Sequence, residues 1–442
     1  MVRPVIIFFL ASSLSAISAT INVSNYGDGS ASWANVSNAL HAATTGDTVL
    51  FPLNGAANWG QELLLNKAVT IDGNGSKLST SVALNSGFLF IYGLSTSSLL
   101  RITSLSFSNA GFTGYALRGY NNTITSLRVD HCNFTNGSYQ VDIAGWQGVI
   151  DHCYFVNGSS AILFTGGSRS QADASWTTVA PATSACQFFE DNTMLITSTV
   201  VGVYAQVVDC DSGGKLVFRN NVIDVTGDSK TGGSQQFIFQ NHGNACGGCD
   251  SVNKGYWQND ATARRSPSVV EFYSNSISGN TLGRFATFRG GSILCYSNKA
   301  TSVTYTPTIV LYEEEDDLVS QFSPSRTAWP AEDQVHNSFF WSNTSNGGDP
   351  GLTVLDPTFI QEDRDYWLHA PAATGGKESF TGLNGGSATA PTDGITYPTL
   401  GNMTFSASGA NAYYPYTPYQ YPHPLQGVDT TTTHNILNLR IQ

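Results

Sequence analysis

Asp130-His131-Cys132 and Asp151-His152-Cys153 set the same three side chains 21 residues apart. Carboxylate, imidazole and thiol are the groups that hold metals and move protons. A stack of the carboxylates could hold Ca2+ and a stack of the imidazoles a transition metal, yet neither repeat supplies a complete ligand set. Two copies at one spacing read first as a repeated structural turn. A second set is cationic: Lys254, Arg264, Arg265, Arg284 and Arg289, with His242 and Trp257 beside them, in a chain holding only 20 Lys and Arg. Such a cluster suits an acidic polymer, which a chain of net charge −12 could otherwise meet only through a bridging cation.

Each Asp-His-Cys copy sits at the end of a short run of β-branched and aromatic residues closed by Asn-Gly-Ser, so each is a strand ending in a tight turn. A period near 20 residues marks a solenoid, whose single coil cannot bury its apolar face alone. The same register recurs as Ile102/Leu105/Phe107, Val129/Cys132/Phe134, Ile150/Cys153/Phe155, Phe189/Asn192/Met194, Phe218/Asn221/Ile223, Phe272/Asn275/Ile277 and Cys295/Asn298/Ala300. Stacked coils would align these residues into ladders about 4.8 Å apart. The three-residue offset implies a bend, since a straight strand alternates by two. Asn in the middle suits a turn because it tolerates the left-handed conformation and bonds nearby backbone.

This pattern resembles the right-handed parallel β-helix of pectin-lyase-like proteins, over roughly residues 45 to 310. The resemblance implies an all-β solenoid of about nine to eleven coils, at a period of about 22 residues. An N-terminal helix around Trp33, Val36, Leu40 and Ala43 would cap its open end, before a first strand at Asp47–Pro52. The solenoid is expected over 20–345. From 346 to 442 the texture turns to Gly, Pro, Thr and Tyr, and an extended segment packed on the solenoid is expected there. Its Arg-Asp-Tyr (364–366) and Tyr-Pro-His-Pro (421–424) resemble segments of secreted bacterial β-helix proteins of uncharacterised role.

Residues 1–19 combine a positive end, a short apolar run and small residues, which reads as a secretory signal peptide cleaved after Ala19. No other segment is apolar and long enough to span a membrane. The expected location is extracellular. Net negative charge argues against nucleic acid as a partner. Of the seven cysteines, Cys132 and Cys153 read as ladder packing and Cys295 as a core thiol. Cys186 and Cys210, about one coil apart, could bridge, and Cys246-Gly-Gly-Cys249 could close a local disulfide.

Two register steps exceed one coil: Ile150 to Phe189 is 39 residues and Phe218 to Phe272 is 54. Each is a coil plus a loop, or two coils. The second step carries His242, Lys254, Trp257, Arg264 and Arg265, and loops on one wall of a solenoid are where function sits. Pectate lyases have a Trp-Ile-Asp-His motif, matched by Ile150-Asp151-His152 with Val149 in place of Trp. Their Arg-x-Pro-x-x-Arg element is similar to Arg265-Ser-Pro267, with Val270 where the second Arg would stand. The resemblance implies β-elimination from a uronic-acid-containing polysaccharide. Arg265 would be the base, with Arg289, Lys254 and His242 as carboxylate or proton partners, Arg264, Arg284 and Trp257 as substrate contacts, and Ca2+ as the cation such chemistry could use. A non-catalytic surface or glycan-binding protein is the alternative. A glycoside hydrolase ranks third: polygalacturonase elements are missing apart from His242-Gly243, and no opposed carboxyl pair stands out. The acidic run Glu313–Asp317 reads as a solvated face.

Overall fold

The computed structural model describes residues 18–109, 111, 114–158, 161–166, 181–196, 206–211, 213–227, 237–241, 267–312, 335, 338–355, 357, 360–362, 365–371 and 416–428. Short strands of two to eight residues stack coil on coil into three parallel sheets. We call them A, B and C in the order each coil visits them. One coil runs through Thr123–Asp130 in sheet A, Asn133–Thr135 in sheet B and Tyr139–Ala144 in sheet C. The next repeats it with Trp146–Asp151, Tyr154–Val156 and Ala161–Gly166. Sheets B and C have ten strands each, which places the coil number within the expected range. The chain is a right-handed parallel β-helix.

The ladders follow the sequence register. In sheet A, Ile102, Val129, Ile150, Phe189, Phe218, Phe272 and Cys295 pair in succession. In sheet B, Phe107, Phe134, Phe155, Met194, Ile223, Ile277 and Ala300 do the same. These side chains fill the interior, each 1% exposed or less. Phe134 and Phe155 stack at 4.7 Å, and Phe189 and Phe218 at 5.3 Å.

From Thr103 onward a two-residue corner joins sheet A to sheet B. Its first residue takes positive φ in every recognised repeat: Ser104 56°, His131 54°, His152 52°, Asp191 59°, Asn220 57°, Ser274 57°, Ser297 55°. Its second is the ladder residue. Asn192, Asn221, Asn275, Asn298 and Asn343 each accept from the backbone N–H one coil back and donate to a carbonyl there; Asn221 accepts from Asn192 N at 3.0 Å and donates to Phe189 O at 2.9 Å. Asn is therefore chosen for inward hydrogen bonding, and the left-handed conformation belongs to its predecessor. Cys132 and Cys153 occupy the same row as buried free thiols, each with its sulfur on a neighbouring carbonyl.

Both long register steps are single coils with an insertion, because Ile150 pairs directly with Phe189 and Phe218 with Phe272. The bridge that Cys186 and Cys210 could have formed is absent, and both are free. Cys186 is a buried free thiol, and burial pushes it up to about 12. Cys246 and Cys249 lie outside the described residues. The helix Trp33–Ala42 is capped by Ser32, whose hydroxyl accepts from Asn35 N, and buries Val36, Ala39 and Leu40 against the first coil. A strand at Thr20–Asn22 precedes it and pairs with Thr48–Leu50. Strands continue past residue 345, with Leu352–Val354 in sheet C and Tyr366–Trp367 in sheet A. Residues 416–428 then lie across the outer face of sheet A.

Candidate functional site

The corners differ in how much chain they carry. Those from A to B hold a constant length of two residues from Thr103 onward. Those on either side of sheet C do not. Long insertions leave sheet C at Gly166, Asn241 and Leu311 and return to sheet A at Gln187, Val269 and Ser338. Shorter ones enter sheet C between Leu195 and Gln206 and between Val225 and Phe237. Sheet C is thus the wall that insertions flank on both sides, where a rigid scaffold ordinarily presents its site.

Its outer face carries one unbroken row, read rung by rung from the strand register: Leu64, Phe90, Arg118, Asp142, Phe164, Asp209, Gln240, Thr287, Val310. The first half is aromatic. Phe90, Tyr92 and Tyr120 pack with centroids 5.2 to 5.6 Å apart. Tyr115 stacks on Tyr139 at 5.4 Å, and Tyr139 meets Phe164 edge-on at 5.7 Å. All six rings are partly or largely exposed. Arg118 stands among them, its guanidinium 4.3 Å from the Tyr115 centroid and 5.6 Å from that of Tyr120. Asp142 faces its Nε at 3.4 Å, and the Asn85 carbonyl accepts from Nη1. The arginine is thereby held flat between rings and presents about a quarter of its side chain to solvent. The second half is polar and buried: Asp142, Asp209, Gln240 and Thr287 are each 3% exposed or less.

Of the cationic set and its neighbours nominated from sequence, two are described, and both lie on or beside sheet C. Arg284 opens the strand Arg284–Phe288 and Arg289 follows its end. Burial, and then the charge of Arg289, lower the Arg284 guanidinium from its ordinary value. The Arg289 guanidinium lies 5.8 Å over the Tyr312 ring, and its backbone N–H donates to Asn241, a buried amide that also bonds Gly290 O at 2.7 Å. His242, Lys254, Trp257, Arg264, Arg265 and the run 313–317 fall outside the described residues.

The Asp-His-Cys repeats prove to be part of a charged lattice on sheet A. Arg101 binds Asp130 through two bonds of 2.8 and 2.7 Å, and Arg128 binds Asp151 through two of 3.1 Å. Burial opposes the Asp130 charge, but Arg101, His131 and Arg128 outweigh it and hold the carboxyl well below the usual range. The expected option of a carboxylate stack for Ca2+ fails here, because arginines occupy both carboxylates. The His131 and His152 rings stack at 5.3 Å, each with Nδ1 on the preceding Asp. Among the described residues no three His, Cys, Asp or Glu side chains group to hold a metal.

The aromatic row was missed from sequence. Its signal is a polar or aromatic residue between two inward ones, as in Leu89-Phe90-Ile91, Leu117-Arg118-Gly119, Val141-Asp142-Ile143 and Val208-Asp209-Cys210. These triplets recur at spacings of 28, 24 and then 67 residues, too irregular to find without the register.

No protein-family model matches the chain, and no curated protein matches it in sequence. Among solved structures it is similar to an alginate lyase from Paenibacillus sp. str. FPU-7, at 13% identity and a TM-score of 0.34, over 67% of this chain and 94% of that one. A likeness that loose carries nothing about chemistry. No helix among the described residues is long and apolar enough to cross a membrane.

Proposed function

We propose that the protein is a secreted, carbohydrate-active β-helix protein that lays an extracellular polysaccharide along the outer face of sheet C. The observation that carries this reading is the run of half-exposed rings around Arg118, flanked by the insertions. Aromatic faces pack against the C–H faces of sugar rings, and hydrogen-bonding groups at the edges fix orientation. Arg118, Arg284 and Arg289 lie on or beside one sheet, which favours a polymer containing uronic acid.

On that substrate the reaction is β-elimination. A base removes the C5 proton, the C4–O4 bond breaks, a C4–C5 double bond forms and the leaving O4 takes up a proton. Cations that neutralise the uronate carboxylate make the C5 proton acidic. Arg265 is assigned as base, with Arg289, Lys254 and His242 as carboxylate and proton partners and Arg264, Arg284 and Trp257 as contacts. A lowered guanidinium pKa, in the direction seen for Arg284, is what base catalysis by arginine requires. The second reading is a glycan-binding protein without catalysis. The Arg118–Asp142 pair favours it, since that arginine positions rings and needs no proton transfer.

Incubation with uronic-acid and neutral polysaccharides, with Ca2+ and with chelator, separates these readings. Ultraviolet absorbance from unsaturated uronates rising with reducing ends, and its loss in Arg265→Ala, is the expected result. Reducing ends without absorbance would make the protein a hydrolase. Binding without either signal would leave the non-catalytic reading.

A further inference from the structure

A second site stands away from sheet C, where residues 416–428 cross the A–B corner. The segment is fixed by several short bonds. Arg219 donates to the carbonyls of Tyr419 and Gln420 at 2.7 and 2.8 Å, and Glu190 accepts from His423 N at 2.7 Å and Gln426 Nε2 at 2.6 Å. Tyr421 donates to Asp191 at 2.7 Å. Beneath it opens a recess of about 400 Å3, lined among others by His152, Asp191, Thr193, Asn220, Tyr421 and Gln426. That volume lies within the ordinary range of small-ligand sites, roughly 300–1,000 Å3.

The lining is chemically specific. Among the described residues, the Thr193 hydroxyl, the Asn220 side-chain amide and His152 Nε2 have no protein partner, although the corner around them is fully bonded. Asp191 keeps acceptor capacity beyond its bonds to Tyr421 and Gln426. Tyr421 remains 53% exposed while its hydroxyl is anchored, and Arg219 lies 5.2 Å from its ring centroid. A carboxylate, an amide, a hydroxyl and an imidazole thus converge beside a rigid ring. That set bonds a ligand dense in hydroxyls, and the Asp191 carboxylate disfavours an anionic one.

We infer that this recess binds one unit of an uncharged sugar chain, with Asp191, Asn220 and Thr193 bonding its hydroxyls and Tyr421 packing on its ring. It would anchor the protein to a neutral glycan independently of the sheet C face.

The test is calorimetric titration of the full mature chain with cellohexaose, xylohexaose, mannohexaose and galactohexaose. The decisive variant is Asn220→Gly/Thr193→Ala. Glycine keeps the 57° φ of Asn220 without strain, and Thr193 is partly exposed, so the fold is retained; an unchanged unfolding midpoint verifies this. Saturable binding of at least one hexaose, weakened tenfold or more in the double variant, is expected. Binding that the double variant leaves intact, or no heat from any hexaose at millimolar concentration, would overturn the inference.

Discussion

Sheets A and C run side by side through the same coils, and both turn charged side chains outward. On sheet A the buried charges are spent on the protein itself. Arg101, Arg128, Asp130, Asp151, Glu190, Arg219 and Glu271 bond one another or the crossing segment, and all but Arg101 are 1% exposed or less. On sheet C the aromatic half of the row stays half-exposed and its arginine is held by rings. Charge on a solenoid wall is therefore no guide to function. What distinguishes the walls is whether the neighbouring coil and the C-terminal segment already satisfy it, and where the insertions stand.

The difference should appear first in stability. Arg219 joins Glu190, Tyr273 Oη and two carbonyls of the 416–428 segment while fully buried. Arg219→Ala leaves Glu190 buried without its cation and is expected to cost about 3–5 kcal/mol. Denaturant unfolding measures it, and proteolysis within 416–428 should accelerate. A loss below about 1 kcal/mol would mean that the lattice on sheet A is not structural.

Next comes the corner between sheets A and B. Asn221→Ala removes the acceptor for Asn192 N and the donor to Phe189 O, both buried. The expected cost is about 1–3 kcal/mol, measured the same way. This ladder was legible in the sequence, because Asn192, Asn221, Asn275 and Asn298 hold one position in a register of apolar residues three before and two after. Asn343 escaped because Ser345, two residues after it, breaks the apolar signature that Phe340 keeps three residues before. The 416–428 segment was expected to pack on the solenoid, but its partners were not legible. Its bonds to Arg219 and Glu190 span 200 residues or more and no periodicity announces them. The nominated cationic set was found by composition and, for Arg265, by its likeness to the Arg-x-Pro-x-x-Arg element. Composition could nominate Arg284 and Arg289, but it could not see rings at Tyr92, Tyr115, Tyr120 and Tyr139 that come together only when coils stack.

A smaller stability effect is expected on sheet C. Arg118→Ala removes a part-exposed arginine and should change unfolding free energy by no more than about 1 kcal/mol. It should weaken uronate-polysaccharide binding tenfold or more. Stability loss as large as for Arg219→Ala would erase the contrast between the walls.

The smallest expected effect is a pH dependence of the crossing segment. Burial, then the charges of Arg219 and Arg128, lower His423 to about 4, and its Nδ1 accepts from Leu425 N. A histidine neutral when docked favours docking fully above its free value near 6.5. That contribution falls away as pH drops from about 6.5 towards 4. Glu190 and Glu271 act in the opposite sense: burial raises both, so their share is greatest in acid and is lost as pH rises through the raised values. His423→Asn isolates the first trend. Hydrogen-exchange protection factors in 416–428 should fall between pH 6.5 and 4 more in the wild type than in the variant, and equal profiles would remove His423 from the pH response.

Hydroxyl-radical footprinting with and without a saturating uronic-acid polysaccharide addresses the sheet C face most directly. Protection of Tyr92, Tyr115, Tyr120 and Tyr139, with Tyr154 on sheet B unchanged, is the outcome expected if the polymer lies along sheet C. Protection confined to sheet B or to residues 416–428, with those four tyrosines oxidised as before, would contradict it.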